Sequence, residues 1–354
     1  KKAGNLSLAG SFSFYYGHHI STIEGGAVTT NDTKLYNLML SIRSHGWSRD
    51  VDSNFKEEWK KEFNIDDVRE FYTFYYPGFN LRIAKWSKGL GFKNHYYISP
   101  QIWAWKQSRV HKIKRIVDKM YCILPFEKDF YKKFDYEAEF VGHPLLDAIQ
   151  SDSIQDVASI REKYKFGSDK IVLLLPGSRE QEIASMLKVM VQVAAKNKEY
   201  RFVIASVNSI SPSFYKEQIG DVKIDMISGD TYSLLSVASA AMVTSGTATL
   251  ETALFQVPEV VCYKGGKISY LIAKQLIKVK YISLVNLILD RLVVAELIQA
   301  EMNVDRVNVE LKKVLEEGPY RNKMLADYQE LKVKLGGGGA SQRVAESIVN
   351  DLKK

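Results

Sequence analysis

Residues 171–175 read Ile-Val-Leu-Leu-Leu, the turn Pro176-Gly177-Ser178-Arg179 follows, and Ile183, Leu187, Met190 and Val191 then recur at helical spacing. An unbroken apolar run of strand length has no polar face to give to water. It must be covered on both sides, as in the middle of a parallel sheet flanked by helices. Further strands are expected at 202–207, 223–227, 241–244 and 259–263 and near 282–284, with helical stretches between most of them. That alternation specifies an α/β fold on a doubly wound parallel sheet.

The stretch Ala241-Met242-Val243-Thr244-Ser245-Gly246-Thr247-Ala248-Thr249-Leu250-Glu251 reads as a buried strand turning sharply into a helix. The first N–H groups of such a helix have no intrahelical partners, and the peptide dipoles add positive charge there, so an anion is the natural occupant. Gly246 would let a ligand approach the backbone, Ser245 and Thr247 offer hydroxyls, and Glu251 stands about one turn in, able to accept from a sugar hydroxyl. The plain alternative is a βα turn capped by Ser and Thr. After the 171–175 strand, Ser178 and Gln181 have capping-box spacing, and Arg179 is placed to neutralise a diphosphate.

Composition narrows the class. With 354 residues the chain has room for two domains, and 46% hydrophobic residues with 20 Tyr and 16 Phe exclude a disordered polymer. No apolar run reaches the length of a membrane span. Cys122 and Cys262 supply neither a disulfide framework nor a zinc set, which points to a reducing cytoplasm. His18 and His19 sit in a Gly-flanked loop with no third ligand at metal spacing, so a metal is not expected. The net charge of +8 favours an anionic partner, and by itself does not choose among nucleic acid, membrane surface and phosphorylated substrate.

Other stretches place candidates. Trp103, Trp105, Arg109, Lys112 and Arg115 form an aromatic and basic segment. Its apolar side, Val110, Ile113, Ile116 and Val117, is expected to pack, leaving the basic side to meet phosphate. His143, after a strand, is either a substrate contact or a buried structural histidine. Residues 150–156 read as a linker, and Gly336-Gly337-Gly338-Gly339 as a flexible joint before a short terminal helix.

Two families are recognisable. Gly17-His18-His19-Ile20-Ser21-Thr22-Ile23-Glu24-Gly25-Gly26 with Arg43-Ser44-His45-Gly46-Trp47-Ser48-Arg49-Asp50 resembles the pyridoxal-phosphate sugar aminotransferase and dehydratase family. His18 occupies the position of that family's aldimine lysine, which implies the dehydratase branch with His18 as acid/base. The resemblance covers residues 1–82 and lacks the part that would hold pyridoxal phosphate.

The second resemblance spans about 76–354. Tyr97-Ile98-Ser99-Pro100-Gln101-Ile102-Trp103-Ala104-Trp105, Leu124-Pro125-Phe126-Glu127, Phe140-Val141-Gly142-His143-Pro144, Leu175-Pro176-Gly177-Ser178-Arg179, the 244–251 turn and Tyr281-Ile282-Ser283-Leu284-Val285-Asn286-Leu287 together resemble the bacterial lipid-A-disaccharide synthase family, glycosyltransferases of GT-B type. The resemblance implies transfer of 2,3-diacylglucosamine from its UDP derivative to 2,3-diacylglucosamine 1-phosphate with release of UDP, needing no cofactor. It implies Gly177, Ser178, Arg179, Ser245, Gly246 and Thr247 around the diphosphate, Glu251 at the ribose, and Tyr263, Asn286 and Glu296 on the same face. It further implies a peripheral enzyme on the cytoplasmic face of the inner membrane, with Trp103 to Arg115 as membrane contact and no nucleic-acid partner.

The family's expected base, an Asp two residues upstream of Pro77, is replaced by Tyr75. The segment Tyr76-Pro77-Gly78-Phe79-Asn80-Leu81-Arg82 suits both families, so the chain reads as a chimera joined there. The domains implied are 1–75, aminotransferase-like; 76–150, a remnant of an acceptor domain; 151–335, a UDP-sugar domain; and 336–354, the joint and terminal helix. The other readings are a UDP-sugar-binding module without catalysis and a pyridoxal-phosphate sugar dehydratase or aminotransferase.

Overall fold

A computed structural model of the chain describes residues 9–13, 26–30, 78–151, 156–266 and 279–352. The chain divides into two compact units, residues 1–96 with 111–120 and residues 97–110 with 121–354.

In the first unit β1 (Ala9–Ser13) and β2 (Gly26–Thr30) pair antiparallel, with Ala9 opposite Thr30 and Ser13 opposite Gly26. His18 and Tyr75 lie outside the described residues. Along the chain follow α1 (Gly78–Gly89), β3 (His95–Tyr97), α2 (Ile102–Trp105) and α3 (Val110–Ile116). Next come β4 (Lys119–Cys122) and, in the second unit, α4 (Pro125–Lys132), β5 (Ala138–Phe140) and α5 (Leu145–Ser151). Helix α1 buries Leu81 and Ala84, one turn apart, as an amphipathic helix must. The Asn94 amide then ties the middle of α1 to the end of α3, donating to the carbonyls of Ala84 (2.6 Å) and Ile116 (2.7 Å).

The second unit holds the sheet that the apolar runs require. In chain order it contains α6 (Val157–Lys163), β6 (Ile171–Leu175), α7 (Glu180–Lys196), β7 (Arg201–Ser206), α8 (Pro212–Ile219), β8 (Asp225–Ser228) and α9 (Thr231–Val237). Then come β9 (Ala238–Thr244), α10 (Thr247–Leu254), β10 (Glu259–Tyr263), α11 (Leu284–Leu289), β11 (Ala295–Ile298), α12 (Val304–Leu315), α13 (Pro319–Lys334) and α14 (Ala340–Leu352). The six strands from β6 to β11 form one parallel sheet in the order β11-β10-β9-β6-β7-β8. All five residues of β6 are buried, the environment that a continuous apolar run demands. Helix α7 covers the sheet with Ile183, Met186, Leu187, Met190, Val191, Val193 and Ala194; Glu180 and Glu182 in its first turn and Lys196 in its last complement the helix dipole.

Two expectations fail for local reasons. Residues 282–284 do not form a strand: the Ser283 hydroxyl accepts the Asn286 N–H at 3.2 Å and starts α11, and the last strand is β11. The glycine run before α14 is not a loose joint. The His143 N–H donates to the Leu335 carbonyl (3.1 Å), and the Asp147 carboxylate accepts the N–H groups of Gly339 and, at 3.1 Å, Ala340, capping α14. Gly142 has φ +85°, and a Cβ there would stand 2.7 Å from Arg343 Nη2 and 3.2 Å from the Gly337 carbonyl, so glycine is what permits this approach. Tyr121, Val141 and Val344 close the contact with an apolar cluster, and the Tyr121 hydroxyl donates to Ser347 Oγ at 3.0 Å.

Candidate functional site

The order of the sheet locates the crevice. From β6 the chain steps outward through β7 to β8, then returns to the other side of β6 and continues through β9, β10 and β11. The reversal falls between β6 and β9, which are parallel with Leu175 opposite Val243, so the loops leaving them emerge side by side at one edge. Ligands of open α/β sheets bind outside the carboxyl ends of the strands at such a point.

The first loop is Pro176 to Arg179. Gly177 has φ +117°, a conformation that disfavours a side chain, and a Cβ there would sit 2.6 Å from Glu182 Oε2. The helix begins later than the Ser178–Gln181 spacing suggests: Arg179 is the N-cap of α7 and gives no side-chain cap. Glu182 does the capping, accepting the Ser178 N–H at 3.2 Å and the Arg179 guanidinium at 3.0 Å. Its carboxylate therefore rests on the groups an external anion would use. The Arg179 side chain is 80% exposed and reaches open solvent.

In the second loop the Ser245 N–H donates to the Cys262 carbonyl (3.2 Å) and its hydroxyl to the Ile282 carbonyl (2.9 Å), fixing the turn. Gly246 is the N-cap of α10, has no side-chain cap, and a Cβ there would meet nothing within 4 Å. The opening of α10 thus has no capping side chain, and Thr247 beside it is exposed. One turn on, half-buried Glu251 accepts the Tyr232 hydroxyl at 3.1 Å, and burial pushes its carboxyl above the usual range.

Tyr263 ends β10 at the same edge, 37% exposed. Asn286 has no capacity left for a ligand of its own, and Glu296 already accepts three internal donors. Fully buried Asn286 accepts the N–H groups of Val293 (2.7 Å) and Val294 (3.0 Å) and donates to the Val294 carbonyl (2.9 Å) and Glu296 Oε1 (2.8 Å). Glu296 also accepts the N–H groups of Ile282 and Ser283, each at 2.9 Å. The pair holds the loop whose Ile282 carbonyl anchors Ser245. The sequence gives no sign of Glu182 capping or of Tyr232 bonding to Glu251; only the i,i+4 spacing of Ser178 and Glu182 hints at the former.

The aromatic and basic segment splits. Trp103 is 8% exposed, donates its indole N–H to Glu127 (3.1 Å) and meets Phe126 edge-on at 4.9 Å, so it is core and not a surface contact. Burial raises the Glu127 carboxyl to about 7, against the hydrogen bonds from the Leu124 N–H and this indole. Trp105 is 47% exposed, with Arg109 over its ring at 5.0 Å. Lys112 and Arg115 lie on α3, where Val110, Ile113 and Ile116 are buried as expected, and Arg115 Nε donates to the His111 carbonyl. His143 is structural: burial drives its pKa down to about 4, and neutral Nδ1 accepts the Leu145 N–H at 3.2 Å.

Among the described residues no three His, Cys, Asp or Glu side chains gather as a metal site, and no helix is long and apolar enough to cross a membrane. A hollow of about 240 Å³ lies at the opposite edge of the sheet, where β7 and β8 start, lined by Tyr164, Phe166, Arg201 and Asp225 among others.

Comparison with known proteins gives two family matches: lipid-A-disaccharide synthetase over residues 54–350, and the DegT/DnrJ/EryC1/StrS aminotransferase family over residues 1–95. The chain is 39% identical over 290 residues to a lipid-A-disaccharide synthase of Syntrophus aciditrophicus, covering 79% of this chain and 74% of that one. It is 39% identical over 283 residues to the same enzyme of Myxococcus xanthus, covering 78% and 73%. Among solved structures, a UDP-GlcNAc 2-epimerase from Neisseria meningitidis bound to UDP-GlcNAc matches with a TM-score of 0.47 and 14% identity, over 68% of this chain and 63% of that one.

Proposed function

The chain belongs to the lipid-A-disaccharide synthetase family, glycosyltransferases of lipid A biosynthesis, and from that premise we propose that its site binds a UDP-sugar at the edge where β6 and β9 end. The observation that carries the reading is the juxtaposition, at the reversal of strand order, of the Gly177-Ser178-Arg179 turn and the uncapped N-terminus of α10. Arg179, the Ser178 N–H and the N–H groups after Gly246 hold the diphosphate, with Gly177, Ser245 and Thr247 shaping its bed. Glu251 accepts from the ribose, and Tyr263 borders the same edge. Asn286 and Glu296 serve by fixing the loop behind Ser245.

The donor is UDP-2,3-diacylglucosamine and the acceptor 2,3-diacylglucosamine 1-phosphate. The acceptor hydroxyl forms a bond to the anomeric carbon as the bond to UDP breaks, and the electron pair leaves with the diphosphate. Charge growing on that leaving group is met by Arg179 and the N-terminus of α10, pre-aimed donors that need no reorganisation. The hydroxyl proton must pass to a base. Where the family resemblance calls for Asp the chain has Tyr75, and a phenol, protonated in neutral solution, is a poor base there, so turnover is expected to be slow.

Residues 1–75 constitute an aminotransferase-like segment, residues 76–150 the remaining acceptor side, residues 151–335 the donor side, and residues 336–354 the closing segment. The family match over residues 1–95 supports a second origin for the first of these. On this reading the enzyme meets its acylated substrates as a peripheral protein on the cytoplasmic face of the inner membrane, with Trp105, Arg109, Lys112 and Arg115 as candidate contacts.

The test is release of UDP from UDP-2,3-diacylglucosamine in the presence of acceptor. Wild-type chain is expected to turn over, Arg179→Ala to lose about 100-fold, and Tyr75→Asp to gain. UDP binding without any turnover, in wild type and Tyr75→Asp alike, would instead favour a binding module.

A further inference from the structure

Tyr232 and Glu251 stand on different helices, α9 and α10, and meet through one hydrogen bond, the Tyr232 hydroxyl donating to Glu251 Oε1 at 3.1 Å. The tyrosine is 5% exposed, and its ring lies against Phe255 with centroids 5.2 Å apart. The ring is thereby clamped and the hydroxyl aimed. Glu251 itself is desolvated, which works against ionisation, and the Tyr232 bond is the interaction that opposes this. Oε2 of the same carboxylate receives no hydrogen bond among the described residues, so both its lone pairs are open.

We propose that Tyr232 is a positioning residue for sugar recognition: it holds Oε1 of Glu251 so that Oε2 faces the vicinal diol of a ribonucleotide, making the site select ribose over sugars lacking those hydroxyls. The inference rests on the placement of Glu251 at the ribose under the proposed function. Its chemistry follows from counting acceptors. A diol offers two donors, a single oxygen with two lone pairs can accept both, and the selectivity depends on that oxygen being held in place. Without the phenol the carboxyl is free to rotate, which loses the placement of Oε2, or to take up a proton, which costs it acceptor capacity. Tyr232 touches no reacting atom and acts only through Glu251.

The experiment is calorimetric titration of UDP and of 2′,3′-dideoxy-UDP into wild type, Tyr232→Phe, Glu251→Ala and the double variant. Tyr232→Phe keeps the ring and its contact with Phe255. It is expected to weaken UDP about tenfold while leaving the dideoxy nucleotide within about twofold, so that the preference for ribose collapses. In the Glu251→Ala background the same substitution is expected to do nothing further. Equal losses for the two nucleotides, or an undiminished loss in the Glu251→Ala background, would overturn the assignment, because packing alone would produce them. If Glu251→Ala leaves UDP affinity unchanged, the ribose placement falls and this inference with it. If Glu251→Ala weakens UDP but Tyr232→Phe does not, only the role of Tyr232 falls.

Discussion

Glu259 opens β10 with no exposed surface, and neither carboxylate oxygen has a hydrogen-bond partner. The Tyr328 hydroxyl, also buried and unbonded, lies close enough to temper the carboxyl's shift but outside hydrogen-bond geometry. Burial raises the Glu259 pKa well above the ordinary carboxylate value, favouring the protonated form in the folded chain. The unfolded chain releases that proton near pH 4.3, about the value of a free Glu. Above that pH the native state binds more protons than the unfolded state, so its stability falls as pH rises, by about 1.4 kcal/mol per unit until the folded pKa is reached. Glu259→Met replaces the carboxyl with an unbranched apolar chain of similar length and removes the orphaned oxygens. The variant is expected to exceed wild type by about 1–3 kcal/mol at pH 5, where the orphaned oxygens are the main cost, and by up to about 4 kcal/mol more at pH 8. The advantage should shrink steadily as pH is lowered to 5. Thermal or urea unfolding of both proteins at pH 5, 6, 7 and 8 reads this directly. Parallel pH profiles, or a methionine variant less stable at pH 8, would refute the reasoning.

Three further outcomes follow from the geometry. Glu182→Gln frees the Ser178 N–H and Arg179 from an internal anion; the pair is exposed, so UDP affinity should rise by about threefold at low salt, and by less as salt is added. A fall in affinity by calorimetry would instead show that Glu182 orients Arg179 for the ligand. Asn286→Ala strands the buried N–H groups of Val293 and Val294 and deprives Glu296 of a donor, at about 3 kcal/mol, seen as a lowered melting temperature. Gly142→Ala forces a side chain into a left-handed position against Arg343 and the Gly337 carbonyl; a loss of about 1–3 kcal/mol and faster hydrogen exchange in α14 are expected, and unchanged exchange would count against the docking described.

What could be read in the sequence was what depends on near neighbours. The Ile171–Leu175 run could only be a central strand, and the 241–251 stretch carries its own strand, turn and helix. What could not be read depends on groups brought together from afar. Trp103 beside lysines and arginines looks like a surface anchor until Glu127, 24 residues on, supplies a buried acceptor for its indole. Asn286 and Glu296 resemble ligand contacts because both are polar near the correct edge, yet Asn286 spends all its bonds inside the fold and Glu296 accepts three internal donors. The glycines from 336 onward read as slack, whereas Asp147, almost two hundred residues earlier, fastens the segment. Ser283 follows an isoleucine and precedes Leu-Val, a pattern that suits a strand as well as a helix start, and the choice is made by its hydroxyl capping Asn286.

The central claim, a UDP-sugar site where β6 and β9 end, is tested most directly by a crystal structure of the chain with UDP. The account predicts the diphosphate between Arg179 and the N–H groups that open α10, with the Glu182 carboxylate displaced from Ser178 and the ribose against Glu251. UDP seated instead at the other edge of the sheet, in the hollow beside Phe166 and Arg201, or electron density that leaves Arg179 and Glu251 untouched, would contradict it.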